Sequence, residues 1–160
     1  MNELKERTIV RPAEVPVLPD GLNTAPQDLP PVPSRAALAM PWYVRLLLEK
    51  AGLVVEARPL IPSAHLEHTR RLIAEWGWCK SMDLSPTGRL CIRGAQGVLE
   101  RAGYVTRDTR KEAETYMQRE LAKAGIRMEF FAWNDLPGTT RQQVDSLLRT
   151  ASRRAYEEGR

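Results

Sequence analysis

Residues 140–155 read TRQQVDSLLRTASRRA. Val144, Leu147, Leu148, Ala151 and Ala155 recur at steps of three and four, the period of one buried helical face. Thr140 stands three residues before Gln143, the spacing of a capping box, so the helix start is predicted along with its face. Upstream, residues 109–125 repeat the pattern: Thr109 with Glu112 suggests a second box. Ala113, Tyr116, Met117, Leu121 and Ala124 share a face there, and Gly125 is the stop. A third helix is predicted after Gly94, burying Ala95, Val98, Leu99 and Ala102 and ending at Gly103. Another begins at Ser63 or Ala64, uses His65, Leu72, Ile73 and Trp76 as its core face, and stops at Gly77. A short one, PWYVRLLLEKA (41–51), opens with Pro41 and is closed by Gly52. Between these elements, Ser85-Pro86-Thr87-Gly88 carries turn chemistry between two short runs, which predicts a β-hairpin. IRMEFFAW (126–133) fits neither period. The expected class is mainly α (α+β): a compact bundle of about five helices with one small β-hairpin near 78–92.

The chain has 160 residues and 42% hydrophobic residues, the size of one globular domain. No run approaches the roughly 18 apolar residues of a membrane span. Two cysteines in this length do not make a disulfide scaffold. No charged-then-apolar leader opens the chain, so the expected location is the cytoplasm. Seven of the twelve prolines fall within the first 33 residues. Such a stretch buries too little apolar surface to offset its ordering entropy. Residues 1–33 are therefore expected to be an extended arm, disordered or partner-bound, ahead of a single helical domain over 34–160. The net charge is +4, carried by 19 Arg and 5 Lys against 20 acidic residues.

From Gly77 onward the chain resembles a small domain family of unknown function found in actinobacteria and their bacteriophages. The matching stretches are Gly77-Trp78-Cys79, Gly88-Arg89-Leu90-Cys91-Ile92-Arg93-Gly94-Ala95 and Trp133-Asn134-Asp135, followed by the closing amphipathic helix. The resemblance spans roughly residues 64–155 and leaves out the proline-rich arm. Thr139-Thr140-Arg141 stands where the family pattern has an Arg-Thr pair. The resemblance implies a fold and an origin, in the cytoplasm of a bacterial host or on a virion. It implies no activity.

The residues allow three chemistries. His65 and His68 lie three apart on one helical face, and with Cys79 and Cys91 they complete a tetrahedral zinc set. The cysteine spacing is long for such a site. In the expected hairpin register Met82 faces Cys91, so the thiols of Cys79 and Cys91 point to opposite faces. A thiol paired with His65 is the corresponding small-enzyme reading. Asn134, Asp135 and Arg141 are candidates for a pocket rim, against the simpler role of Asx side chains in turns. Arg110, Lys111, Arg119, Lys123, Arg149 and Arg153 are candidate nucleic-acid contacts, although acidic residues interrupt them.

The expectation is a non-enzymatic binding or accessory protein without cofactor, metal or catalytic residues. Its partner would be a host or phage protein, or a second copy. Trp42, Tyr43, Leu46 and Leu47 on the apolar 41–51 helix would be the anchors, together with the arm, because buried aromatics dominate interfaces. The alternatives are a nucleic-acid-binding regulator and a small enzyme or zinc protein. No membrane contact is expected.

Overall fold

A computed structural model describes residues 29–39, 42–51 and 59–160. They form seven helices: α1 (Arg35–Ala39), α2 (Trp42–Lys50), α3 (Pro62–Trp76), α4 (Ile92–Arg101), α5 (Arg107–Lys123), α6 (Phe130–Asp135) and α7 (Arg141–Glu157). The last five pack around one core, so the class is mainly α, as the periodicity predicts. Residues 1–28 of the arm, Pro41 and residues 52–58 lie outside the described residues.

Helices α3 and α7 share the most extensive contact, with α5 packed against both. Helix α4 lies on α3, and α6 lies on α5 and α4. Leu66, Leu72, Leu99, Met117, Leu121, Leu147 and Leu148 are fully enclosed at these contacts, together with Trp133. Polar clasps fix the register of the α3–α7 pair. Ser152 Oγ donates to the Ser63 carbonyl at 2.8 Å. Arg70 binds Glu67 through two nitrogens and reaches across to Asp145 at 2.9 Å.

Helix ends follow the local chemistry, with two corrections. The Thr140–Gln143 capping box forms in full. The N-cap of α5 is Thr106, which accepts from Thr109 N, so the helix starts a turn before the predicted box. Thr109 instead packs its hydroxyl against that of Thr106 at 2.9 Å. Helix α4 also starts early. Its N-cap is Cys91, and Gly94 lies within its first turn. Gly77 ends α3 as predicted, at φ +91°, a conformation that favours glycine.

The expected hairpin is not formed. Its turn exists, with Gly88 N donating to the Ser85 carbonyl at 2.8 Å. Only isolated bridges surround it: Leu90 pairs in parallel with Trp78 and antiparallel with Leu84. That register is one residue away from the expected one, in which Met82 faces Cys91 and Leu84 would face Arg89. Recruitment of Cys91 and Ile92 to the α4 start ends the second strand after Leu90. Gly94, in the first turn of α4, packs directly on the Asp83 backbone: a Cβ there would stand 1.8 Å from the Asp83 carbonyl oxygen.

Residues 29–35 run over the domain surface. Val32 packs on the core and Pro33 is buried. Tyr104 donates its hydroxyl to the Pro31 carbonyl at 3.3 Å. Arg35 caps the far end of this strap, donating to the carbonyls of Trp76 and Gly88, each at 3.2 Å.

Candidate functional site

The Trp-Asn-Asp motif is not a loop. It is the last turn of α6, the segment whose period the sequence obscured. Asn134 is buried and accepts from Trp78 Nε1 at 2.9 Å. Its amide donates to Asp135 Oδ1 at 2.7 Å and to the Cys79 carbonyl at 3.4 Å. Asp135 Oδ1 in turn accepts from Ser81 N at 2.8 Å. Ser81 is the one non-glycine residue with positive φ, at 62°, among the described residues. Lys80 binds the Leu136 and Pro137 carbonyls behind it. The pair therefore clasps the 78–81 segment to α6. Arg141 stands elsewhere, its guanidinium on the Ala74 carbonyl at 3.4 Å.

Both thiols are free and tied to the same loop. Cys79 Sγ lies 3.3 Å from both the Met82 and the Arg89 carbonyl oxygens, which share its single S–H donor. Cys91 Sγ accepts from Gly94 N at 3.3 Å, doing the work of a serine N-cap. Burial pushes the Cys79 thiol up, and pushes Cys91 up to about 11. A nucleophilic cysteine needs the opposite shift.

His65 and His68 are wholly enclosed in the first half of α3. Cys79 lies fourteen steps along the chain from His65, and 11 of those steps run along α3, about 17 Å of helix. Among the described residues, no group of three or more His, Cys, Asp or Glu is placed to hold a metal ion. The four candidates are thus not brought together. Neither imidazole nitrogen of His65 has a hydrogen-bond partner, nor do Gln96 Oε1 and Nε2 on neighbouring α4, whereas His68 faces the Pro31 carbonyl. Burial drives His65 down to about 3, helped by His68 and Arg110. It drives His68 down to about 4, with the Pro31 carbonyl acting in the opposite direction. Sequence reasoning placed His65 in the core but missed His68, Glu67 and Gln96. Their signal was weak: a polar residue inside an apolar face shows up only once the neighbouring helices are in place.

Of the six candidate nucleic-acid contacts, five sit in ion pairs. Arg110 binds Glu100 and Glu114, Arg119 binds Glu158, and Lys123 binds Glu120. Arg149 binds Asp145 and Arg153 binds Glu157. Lys111 lines an open groove of about 540 Å³ between α4, α5 and α6. Arg93, Arg110, Glu114, Gln118 and Phe131 line it too. Its lining mixes cations with the carboxylates of Glu114 and Glu129.

Helix α2 carries Tyr43 and Leu47, which are 55% and 64% exposed. Four residues apart, they occupy one face of the helix. Trp42 and Leu46 belong to the same helix, but their side chains lie outside what is described.

A family model described as a family of unknown function (DUF6197) matches residues 57–154. No curated protein matches the chain, and no solved structure does.

Proposed function

The chain belongs to this family of unknown function, and from that premise we propose that it is a non-enzymatic binding module working through protein–protein contacts. The observation that carries the reading is the exposed Tyr43–Leu47 pair on one face of α2. Large apolar side chains grouped in the open mark interaction sites more often than scattered ones do. The two chemistries weighed against it lack support. Thiols pushed upward and imidazoles sealed in the core are poorly disposed for catalysis. Cations already paired with carboxylates leave little free charge for phosphates.

The partner would be a host or phage protein, or a second copy of the chain, met in the cytoplasm or on a virion. The proline-rich stretch ahead of α1 would contribute to the contact. An excess of Arg over Lys agrees with a GC-rich actinobacterial or phage origin. Helix α2 lies outside the stretch that matches the family.

The test is a photoreactive residue at position 47 of the full chain, with exposed Gln142 as the reference position. A discrete adduct from position 47, absent from 142 and lost on adding Tyr43→Asp, is the expected result. Adducts that do not depend on position, or none at all, would overturn the reading.

A further inference from the structure

The bridge between Trp78 and Leu90 is parallel, and that register reverses the relation expected of the two thiols. Leu90 N donates to the Gly77 carbonyl at 2.9 Å, and Cys79 N donates to the Leu90 carbonyl at 3.0 Å. Cys91 leaves the bridge with extended backbone, at φ −81° and ψ 174°. One step beyond the bridged pair, Cys79 and Cys91 therefore stand side by side. Paired strands run about 4.8 Å apart, within the roughly 4.4–6.8 Å over which a disulfide joins Cα atoms. Trp78 and Leu90 pack towards the core. Alternation then sends the side chains of Cys79 and Cys91 together to the other side of the bridge. The contacts agree. Cys79 Sγ lies 3.3 Å from the Met82 carbonyl oxygen, and Cys91 Sγ lies 3.5 Å from Oδ1 of Asp83, the next residue.

We propose that Cys79 and Cys91 form a reversible oxidation site, in which a low-molecular-weight disulfide converts the two thiols into one bond within the chain. This site is independent of any partner for α2. Cys79 is half-buried and Cys91 is 6% exposed, so Cys79 reacts first. Its thiolate attacks one sulfur of the oxidant and forms a mixed disulfide. The other half of the oxidant leaves as a thiolate and takes up the proton that Cys79 lost. The Cys91 thiolate then attacks the Cys79 sulfur, closes the internal bond and expels the second half, which takes up the proton of Cys91. Two protein sulfurs are oxidised, and one oxidant disulfide is reduced to two thiols. Burial holds both protein thiols up, so exchange is slow at neutral pH and quickens as pH rises. In a reducing compartment the pair stays as two thiols.

Closure has a consequence at α4. The bond turns Cys91 Sγ towards Cys79 and away from Gly94 N, which it caps in the reduced chain. Arg93 sits in that first turn, bound to Asp83 at 2.8 Å and stacked 5.5 Å from the centre of the Phe131 ring. The oxidation state of the pair is thus felt at the edge of the groove that Arg93 and Phe131 line.

The full chain, held at pH 8 with a fixed ratio of oxidised to reduced glutathione, tests this. The reaction is run in buffer and in concentrated urea, quenched with an alkylating agent and read by mass spectrometry. The expected product is a monomer that has lost two hydrogens, takes up no alkylating agent and is restored by dithiothreitol. The ratio of bridged to reduced chain should be at least about tenfold higher in buffer than in urea, because the fold already holds the two positions together. In nuclear magnetic resonance the Gly94 amide should shift on oxidation, while those of Leu147 and Leu148 stay in place. Cys91→Ser, treated in the same way, should take one glutathione at Cys79 and leave the Gly94 amide where it was. The site is overturned if the thiols stay reduced, if the reaction stops at glutathione adducts or dimers, or if bridging is no more favourable in buffer than in urea. An equal Gly94 shift in Cys91→Ser would sink the link to α4.

Discussion

Two histidines sealed in a helical core make the stability of this protein pH-dependent. In the folded chain, burial holds His65 down to about 3 and His68 to about 4. In the unfolded chain both return to about 6.5, so below that pH the unfolded state binds more protons. Stability is then fully present above pH 6.5 and falls as pH drops towards 4. Each imidazole contributes a slope of at most about 1.4 kcal/mol per pH unit. At pH 5 the loss for the pair should reach about 4 kcal/mol. Urea midpoints at pH 7, 6 and 5 check this, and the double variant His65→Leu with His68→Phe should flatten the dependence. Two other residues act through backbone geometry. Cys91→Ser should keep the α4 cap, and Cys91→Ala should cost about 1 kcal/mol in urea unfolding. Gly94→Ala should cost about 3 kcal/mol or more, because its methyl would have to displace the Asp83 backbone rather than a flexible side chain.

At the scale of elements, what decides is how far each signal reaches along the chain. The α7 box needs only Thr140 and Gln143, and Gly77 needs only its own φ, so both could be read locally. The hairpin needed two strands to find each other, and the α4 start claimed Cys91 and Ile92 first. Helix α6 is six residues long, too short for a period to show, and Asn134 bonds a segment more than 50 residues away. That bond gives Asn134 a role as a clasp. Asn134→Ala should leave the Trp78 indole N–H without its acceptor and the Cys79 carbonyl without its donor, lowering stability by about 2 kcal/mol. Thermal unfolding measures the cost. The accompanying loosening should appear as faster amide exchange confined to residues 78–90.

Across the whole molecule, the α3–α7 pair is the spine, and the strap and α2 are additions to it. The matched stretch, residues 57–154, holds nearly all of the five packed helices. A chain shortened to residues 57–160 should therefore still unfold in one cooperative step. It should do so at a midpoint lower by several degrees, since Val32, Pro33 and Arg35 no longer cover the core. Loss of the cooperative step in calorimetry would make the strap integral to the fold. The helical class, the caps at Thr140 and Gly77 and the core faces of α3, α4, α5 and α7 were legible in residue order. Each is a consequence of periodicity or of a backbone preference within a few residues. The placement of Asn134, the isolation of the two histidines from the two cysteines and the docking of the strap were not. They depend on which surfaces meet across dozens of residues, and packing settles that by burying the largest apolar faces first and leaving polar side chains wherever those faces put them.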